Sequence, residues 1–170
     1  MSKIEIKKIG ITKLDTDAIV NAANEELKEI VGDEKIEDSV IWWCRKYSVF
    51  FHVIFEDEDL NRFFQEFNVY NPPQGHQGIY KILDECYHEA YDCNVVIKDY
   101  GQVVEDGNLS DRDLSRPTKE WTASLTVKQI LGAIAWHFRR DHFCEGSWIS
   151  DSVANGHMMV LVDQLLERIC

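Results

Sequence analysis

From residue 33 to the C-terminal end, apolar side chains recur at intervals of three and four, and that period leaves little open except packed helices. Ile36, Val40, Ile41, Cys44 and Tyr47 share one helical face, with Asp33 and Glu34 ahead of them at the end where a helix favours negative charge. Glu56-Asp57-Glu58-Asp59 likewise precede Leu60, Phe63, Phe64 and Phe67, and Pro72-Pro73 close that stretch because neither ring donates to a continuing helix. Another helix opens at Gly78 and carries Ile79, Ile82, Leu83, Cys86 and Ala90. Ser124 or Thr126 caps a further one, with Val127, Ile130, Leu131, Ile134 and Phe138 inward. Met158, Leu161, Val162, Leu165, Leu166 and Ile169 form the last.

Other stretches break the period. Val49 to Phe55 is a run of apolar residues interrupted only by His52 and reads as a buried strand or extended connection. Asn94 to Val104 stays open, and acids with Gly107, Asn108 and Pro117 make 103–119 a polar loop. Trp148 to Ala154 reads as a turn ending in a left-handed stop at Asn155-Gly156. At the N-terminus, residues 3–9 begin with strand-like alternation, and Asp17 to Val20 reads as a second short strand. A single helix over 16–31 competes with that second reading, since Ile19, Ala23, Leu27, Ile30 and Val31 also fit helical spacing. The fold class expected is mainly α (α+β), a multi-helix domain with a short N-terminal β element.

Thirty acids against eighteen bases give a net charge of −12, a field that repels phosphate backbones. The only dense basic group is Arg139-Arg140 with His137 and His142, and two arginines at a helix end commonly complement its dipole. No nucleic-acid partner is expected. No apolar run approaches the roughly 20 residues of a membrane span, so no membrane is expected either. Five cysteines without a CxxC pair fit reduced thiols and a cytoplasmic location.

Several groups bring chemical residue types together. Asp84 and His88 are four apart, as are His137 and Asp141, with His142, Cys144 and Glu145 close behind. Neither an HExxH nor a paired CxxC arrangement is present, and partly exposed helix histidines are the plainer reading. Cys144 lies between Asp141 and Glu145, acids that disfavour a thiolate. Metal ligands and cofactors are therefore expected to be none. Adjacent Trp42 and Trp43 cannot both point inward, so one of them marks an interface or groove.

The run Asp17-Ala-Ile-Val-Asn-Ala-Ala-Asn24 resembles the opening of macrodomains, the ADP-ribose-binding α/β modules, over about residues 4–27. That resemblance implies ligand contacts at Asn21 and Asn24, the latter near the distal ribose, where a carboxamide both donates to and accepts from hydroxyls. Gly10 stands where that family has an acid, and Glu25, Glu26 and Glu29 occupy the stretch where glycines would let amides approach a diphosphate. From about Leu60 to Ile169 the chain resembles a bacterial family of unknown function, numbered six-five-zero-eight. Tyr80, Asp99-Tyr100, the block Ala135-Trp-His-Phe-Arg-Arg-Asp-His-Phe-Cys-Glu-Gly146 and the closing Leu165-Leu166-Glu-Arg168 carry the likeness. It implies a mainly α fold and no known activity.

Within that block Arg140, Asp141, Phe143, Glu145 and Gly146 read as a helix-terminating knot. Arg140 is expected to pair with Asp141, Glu145 or a free carbonyl, Phe143 to plug the core, and Gly146 to take a positive φ. The domain division expected is 1–32 as a macrodomain-like fragment and 33–170 as a helical domain. The leading functional expectation is a non-catalytic binding or protein-interaction module, with a second copy of the chain among its candidate partners. The ligand-binding residues expected are Asn21, Asn24, Arg140, Asp141 and Glu145. ADP-ribose binding or hydrolysis, and a metal-dependent enzyme, are the alternatives.

Overall fold

The structure is a computed structural model and describes residues 36–66, 77–144 and 147–170. Among these residues it contains nine helices and no strand. The N-terminal β element, the macrodomain-like run with Asn21 and Asn24, and the pair Glu145-Gly146 lie outside the described residues.

Helix α1, Asp38–Glu56, turns Val40, Trp43, Cys44, Tyr47, Phe51 and Ile54 inward at spacings of three and four. The expected strand at Val49 to Phe55 is therefore corrected: those residues continue α1. Apolar and β-branched composition suggests a strand locally, yet Phe51 and Ile54 keep the phase set by Cys44 and Tyr47, and burial of that one face decides. The Asp57 side chain stops α1 and starts α2, Glu58–Gln65, by accepting from the Asp59 and Leu60 N–H groups, both at 3.0 Å.

Helix α3, Gln77–Asp92, packs on α1, where Trp43 donates its indole N–H to the Cys86 carbonyl at 3.1 Å. The chain leaves α3 through Asn94, whose φ of 60° lets the Val95 and Val96 N–H groups turn back to the Ala90 carbonyl. The stretch left open from Asn94 to Val104 is thus a turn followed by α4, Tyr100–Asp106. Two single-turn helices follow, α5 at Asp111–Ser115 and α6 at Lys119–Ala123, so the polar loop is partly helical.

Helix α7, Val127–Asp141, is the centre of the fold. Eleven of its fifteen residues are buried, so it meets neighbours on every side. Thr126, of the two caps the sequence allowed, is the one used: it accepts from the Gln129 N–H while the Gln129 side chain accepts from the Thr126 N–H. Helix α4 crosses α7 at Gly132, where an added Cβ would lie 2.9 Å from Val103 Cγ1.

Helix α8, Ser147–Ala154, occupies the stretch expected to be a turn, and packs on α2 and α7. Ile149, Ser150, Ser152, Val153 and Ala154 are buried, and that burial makes so short a segment helical. The left-handed stop stands where the sequence puts it, with Gly156 at φ 79° beneath the Phe55 ring. Helix α9, His157–Ile169, closes the bundle against α1, α6 and α7. No helix among the described residues is long and apolar enough to cross a membrane.

Candidate functional site

The last turn of α7 and the first turn of α8 meet at a corner that holds Arg140 and Asp141. Trp136 precedes Arg140 by one turn, so the two side chains lie above one another on the helix. Trp148, in the first turn of α8, adjoins Trp136 and reaches the same guanidinium. The Arg140 guanidinium carbon stands 4.2 Å from the Trp136 ring centre and 5.5 Å from that of Trp148. The two indoles meet edge to face at 5.7 Å. Such faces attract a cation while shielding it from water.

The expected pairing of Arg140 with Asp141 is corrected. Among the described residues the guanidinium has neither an acid nor a carbonyl partner, and its Nε is buried without one. Asp141 turns inward instead and accepts from the Ile149 N–H at 2.9 Å, capping α8. Burial raises its pKa, against the pull of the Ile149 and Trp148 backbone N–H groups. The carboxylate is thus committed to a helix terminus, and among the described residues the neighbouring arginine meets only aromatic faces.

Behind the pair lies His137, fully buried, which corrects the reading of it as a partly exposed histidine. Its Nε2 lies 2.7 Å from the Leu114 carbonyl and therefore carries the proton. Nδ1 is then the acceptor, taking the Ser152 hydroxyl at 2.8 Å and the Trp148 indole N–H at 3.1 Å. Burial, together with His157 and Arg140 nearby, pushes its pKa down to about 3, against the Leu114 bond. Every polar atom of this imidazole is occupied by the fold, so His137 orients Trp148 and presents no free base.

His157 is also held below the ordinary imidazole range, by burial first and by the Arg116 guanidinium second. Arg116 and Arg140 thus give this corner a local positive bias on a strongly acidic chain, and His157 is kept neutral beside them.

The other groups offer less. Phe143, expected to plug the core, is corrected: it is 82% exposed. Asp84 and His88 make a solvent-facing contact of 3.5 Å. Cys44 and Cys86 are buried, and burial lifts Cys44 to about 12 and Cys86 well above an ordinary thiol. No group of three His, Cys, Asp or Glu side chains among the described residues is placed to hold a metal ion.

Sequence reasoning reached Arg140 and Asp141 but missed the two indoles that seat the arginine. The i,i+4 spacing of Trp136 and Arg140 was an available signal; the approach of Trp148 from another helix was not. In comparison with known proteins, the model of a family described as a family of unknown function (DUF6508) matches residues 73–169. No curated protein matches the chain, and no solved structure does.

Proposed function

The chain belongs to the family of unknown function DUF6508, and from that premise we propose that its helical part is a non-catalytic binding module which captures an anionic group, a carboxylate or phosphate, at Arg140. The observation that carries this reading is the guanidinium seated against the adjoining Trp136 and Trp148 rings with no acid partner among the described residues. A partly buried charge is ordinarily paired, because an unmet donor costs about 1–3 kcal/mol. The chain carries a net charge of −12, yet none of its described acids pairs with this arginine. Its planar fork matches two oxygens of a carboxylate or phosphate at once. The indoles fix that plane before the ligand arrives, which lowers the entropy lost on binding.

The surrounding negative field works against anions, so binding to a simple ion is expected near millimolar. Calorimetric titration with inorganic phosphate and with acetate tests the reading. Saturable heat that disappears in Arg140→Gln and weakens in Arg140→Lys supports it; equal heat in all three proteins sinks it. Glu145, outside the described residues, stays in the proposal from the sequence alone.

A second reading rests on the run from Asp17 to Asn24, which favours ADP-ribose contact at Asn21 and Asn24. It would make residues 1–32 a separate binding element beside the helical domain of 33–170. Titration with ADP-ribose distinguishes the two: heat that survives Arg140→Gln and is lost in Asn24→Ala belongs to the N-terminal run. A cytoplasmic location is proposed with both readings, supported by five free thiols.

A further inference from the structure

The side of α1 turned away from the core carries a second apolar seam. Trp42 is 49% exposed, Val49 66% and Val53 47%, although the same helix already buries six side chains on its opposite face. Residues 42, 46, 49, 53 and 56 are spaced by four, three, four and three, the alternation of a coiled-coil seam. Charge is distributed unevenly along it. Asp38, one turn before Trp42, is exposed at the near end, Arg45 and Lys46 follow in the first half, and Glu56, Asp57, Glu58 and Asp59 are exposed at the far end.

We infer that α1 docks antiparallel against α1 of a second copy of this chain, about a two-fold axis near Phe51. In that register Lys46 faces Glu56 of the second copy, and Val49 faces its Val53. Because the contact is isologous, each pair occurs twice. A parallel arrangement would set Lys46 on Lys46 and Glu56 on Glu56, like charges directly opposed. From Arg45 to Glu56 the seam runs from basic to acidic and is complementary to its own reversal, which is why a second copy is the occupant inferred here. A ligand helix of one charge sign would be repelled at one end.

Lys46 is already poised at the seam. Its ammonium lies 4.8 Å over the Trp42 ring and 2.9 Å from Glu89, so part of its rotamer entropy is lost before association. The seam spans roughly 22 Å at 1.5 Å per residue, short for a permanent interface, so the dimer is reversible. This inference stands apart from the Arg140 reading, since α1 contributes nothing to that corner.

Sedimentation velocity of the full chain from about 1 μM to about 1 mM reads the equilibrium directly. The expected result is a monomer–dimer transition weakened at least tenfold by Val49→Glu and several-fold by Glu56→Lys, with added salt also weakening it. Both positions are solvent-facing, so thermal unfolding midpoints should stay close to that of the parent and show that the variants fold. Monomer alone at the highest concentration overturns the inference. So does a dimer that Val49→Glu leaves intact, which would assign association to another surface such as residues 1–35. A dimer untouched or strengthened by Glu56→Lys overturns the antiparallel register.

Discussion

Trp148 Nε1 donates to His137 Nδ1 at 3.1 Å, and this bond ties the indole beside Arg140 to a fully buried imidazole. It requires the neutral ring. With the folded pKa near 3 and the ordinary value at 6.5, the unfolded chain binds a proton over that interval that the folded chain does not. Stability contributed by neutral His137 is therefore intact above about pH 6.5 and falls as pH drops toward 3. The slope is about 1.4 kcal/mol per pH unit at most, and His157 acts in the same direction. Urea midpoints measured at pH 7 and pH 5 should fall on acidification. His137→Gln should be less stable at pH 7 yet show a shallower acid decline; an unchanged slope would contradict the assignment.

Gly132 is where α4 meets α7. Substitution by Ala gains about 1 kcal/mol of helix propensity but places a methyl 2.9 Å from Val103 Cγ1, so the two effects nearly cancel. Gly132→Val has no such compensation and should destabilise by about 2 kcal/mol through overpacking. Chemical denaturation of the pair Gly132→Ala and Val103→Ala should give less than the sum of the single costs, because removing the valine methyls makes room for the new one. Strict additivity would show that the helices already have slack at this crossing.

Asp141 caps α8 from the end of α7. Asp141→Ala should cost about 1 kcal/mol, whereas Asp141→Asn keeps an acceptor oxygen for the Ile149 N–H and should cost less. The Asn variant also suits a site whose burial disfavours charge. If the two variants are equally damaging in thermal melts, the carboxylate's charge, and not its hydrogen bond, holds the corner.

Thr126→Ala removes one half of the capping box that starts α7 and should lower stability by about 1 kcal/mol, with Gln129→Ala no more than additive to it. Amide exchange at Gln129 reads this locally: faster exchange confined to the first turn is the expected outcome.

The long helices were legible wherever one amphipathic phase persisted, as in Cys44 with Tyr47, Ile130 with Ile134, and Leu161 with Leu165. The conflict between Trp42 and Trp43 was legible too, and the structure resolves it with Trp43 buried and Trp42 exposed. Val49 to Phe55 misled because its composition suits a strand as well as a helix, and only the phase inherited from Tyr47 separates them. Helix α8 was hidden because its stability comes from α2 and α7 and not from its own eight residues. Of the partners expected for Arg140, Asp141 is engaged elsewhere and Glu145 lies outside the described residues. Nothing local to the chain tells that Asp141 is taken by the Ile149 amide or that Trp148 arrives to cover the guanidinium.

If the Arg140 fork is an open anion seat, the side-chain Nε–H resonance of Arg140 reports on it directly. Titrating inorganic phosphate into isotope-labelled protein should shift that resonance and the Trp136 and Trp148 indole signals together, along one saturable curve, with the other arginines following only weakly. A flat Arg140 signal through tens of millimolar phosphate, or a shift shared equally by every arginine, would contradict it.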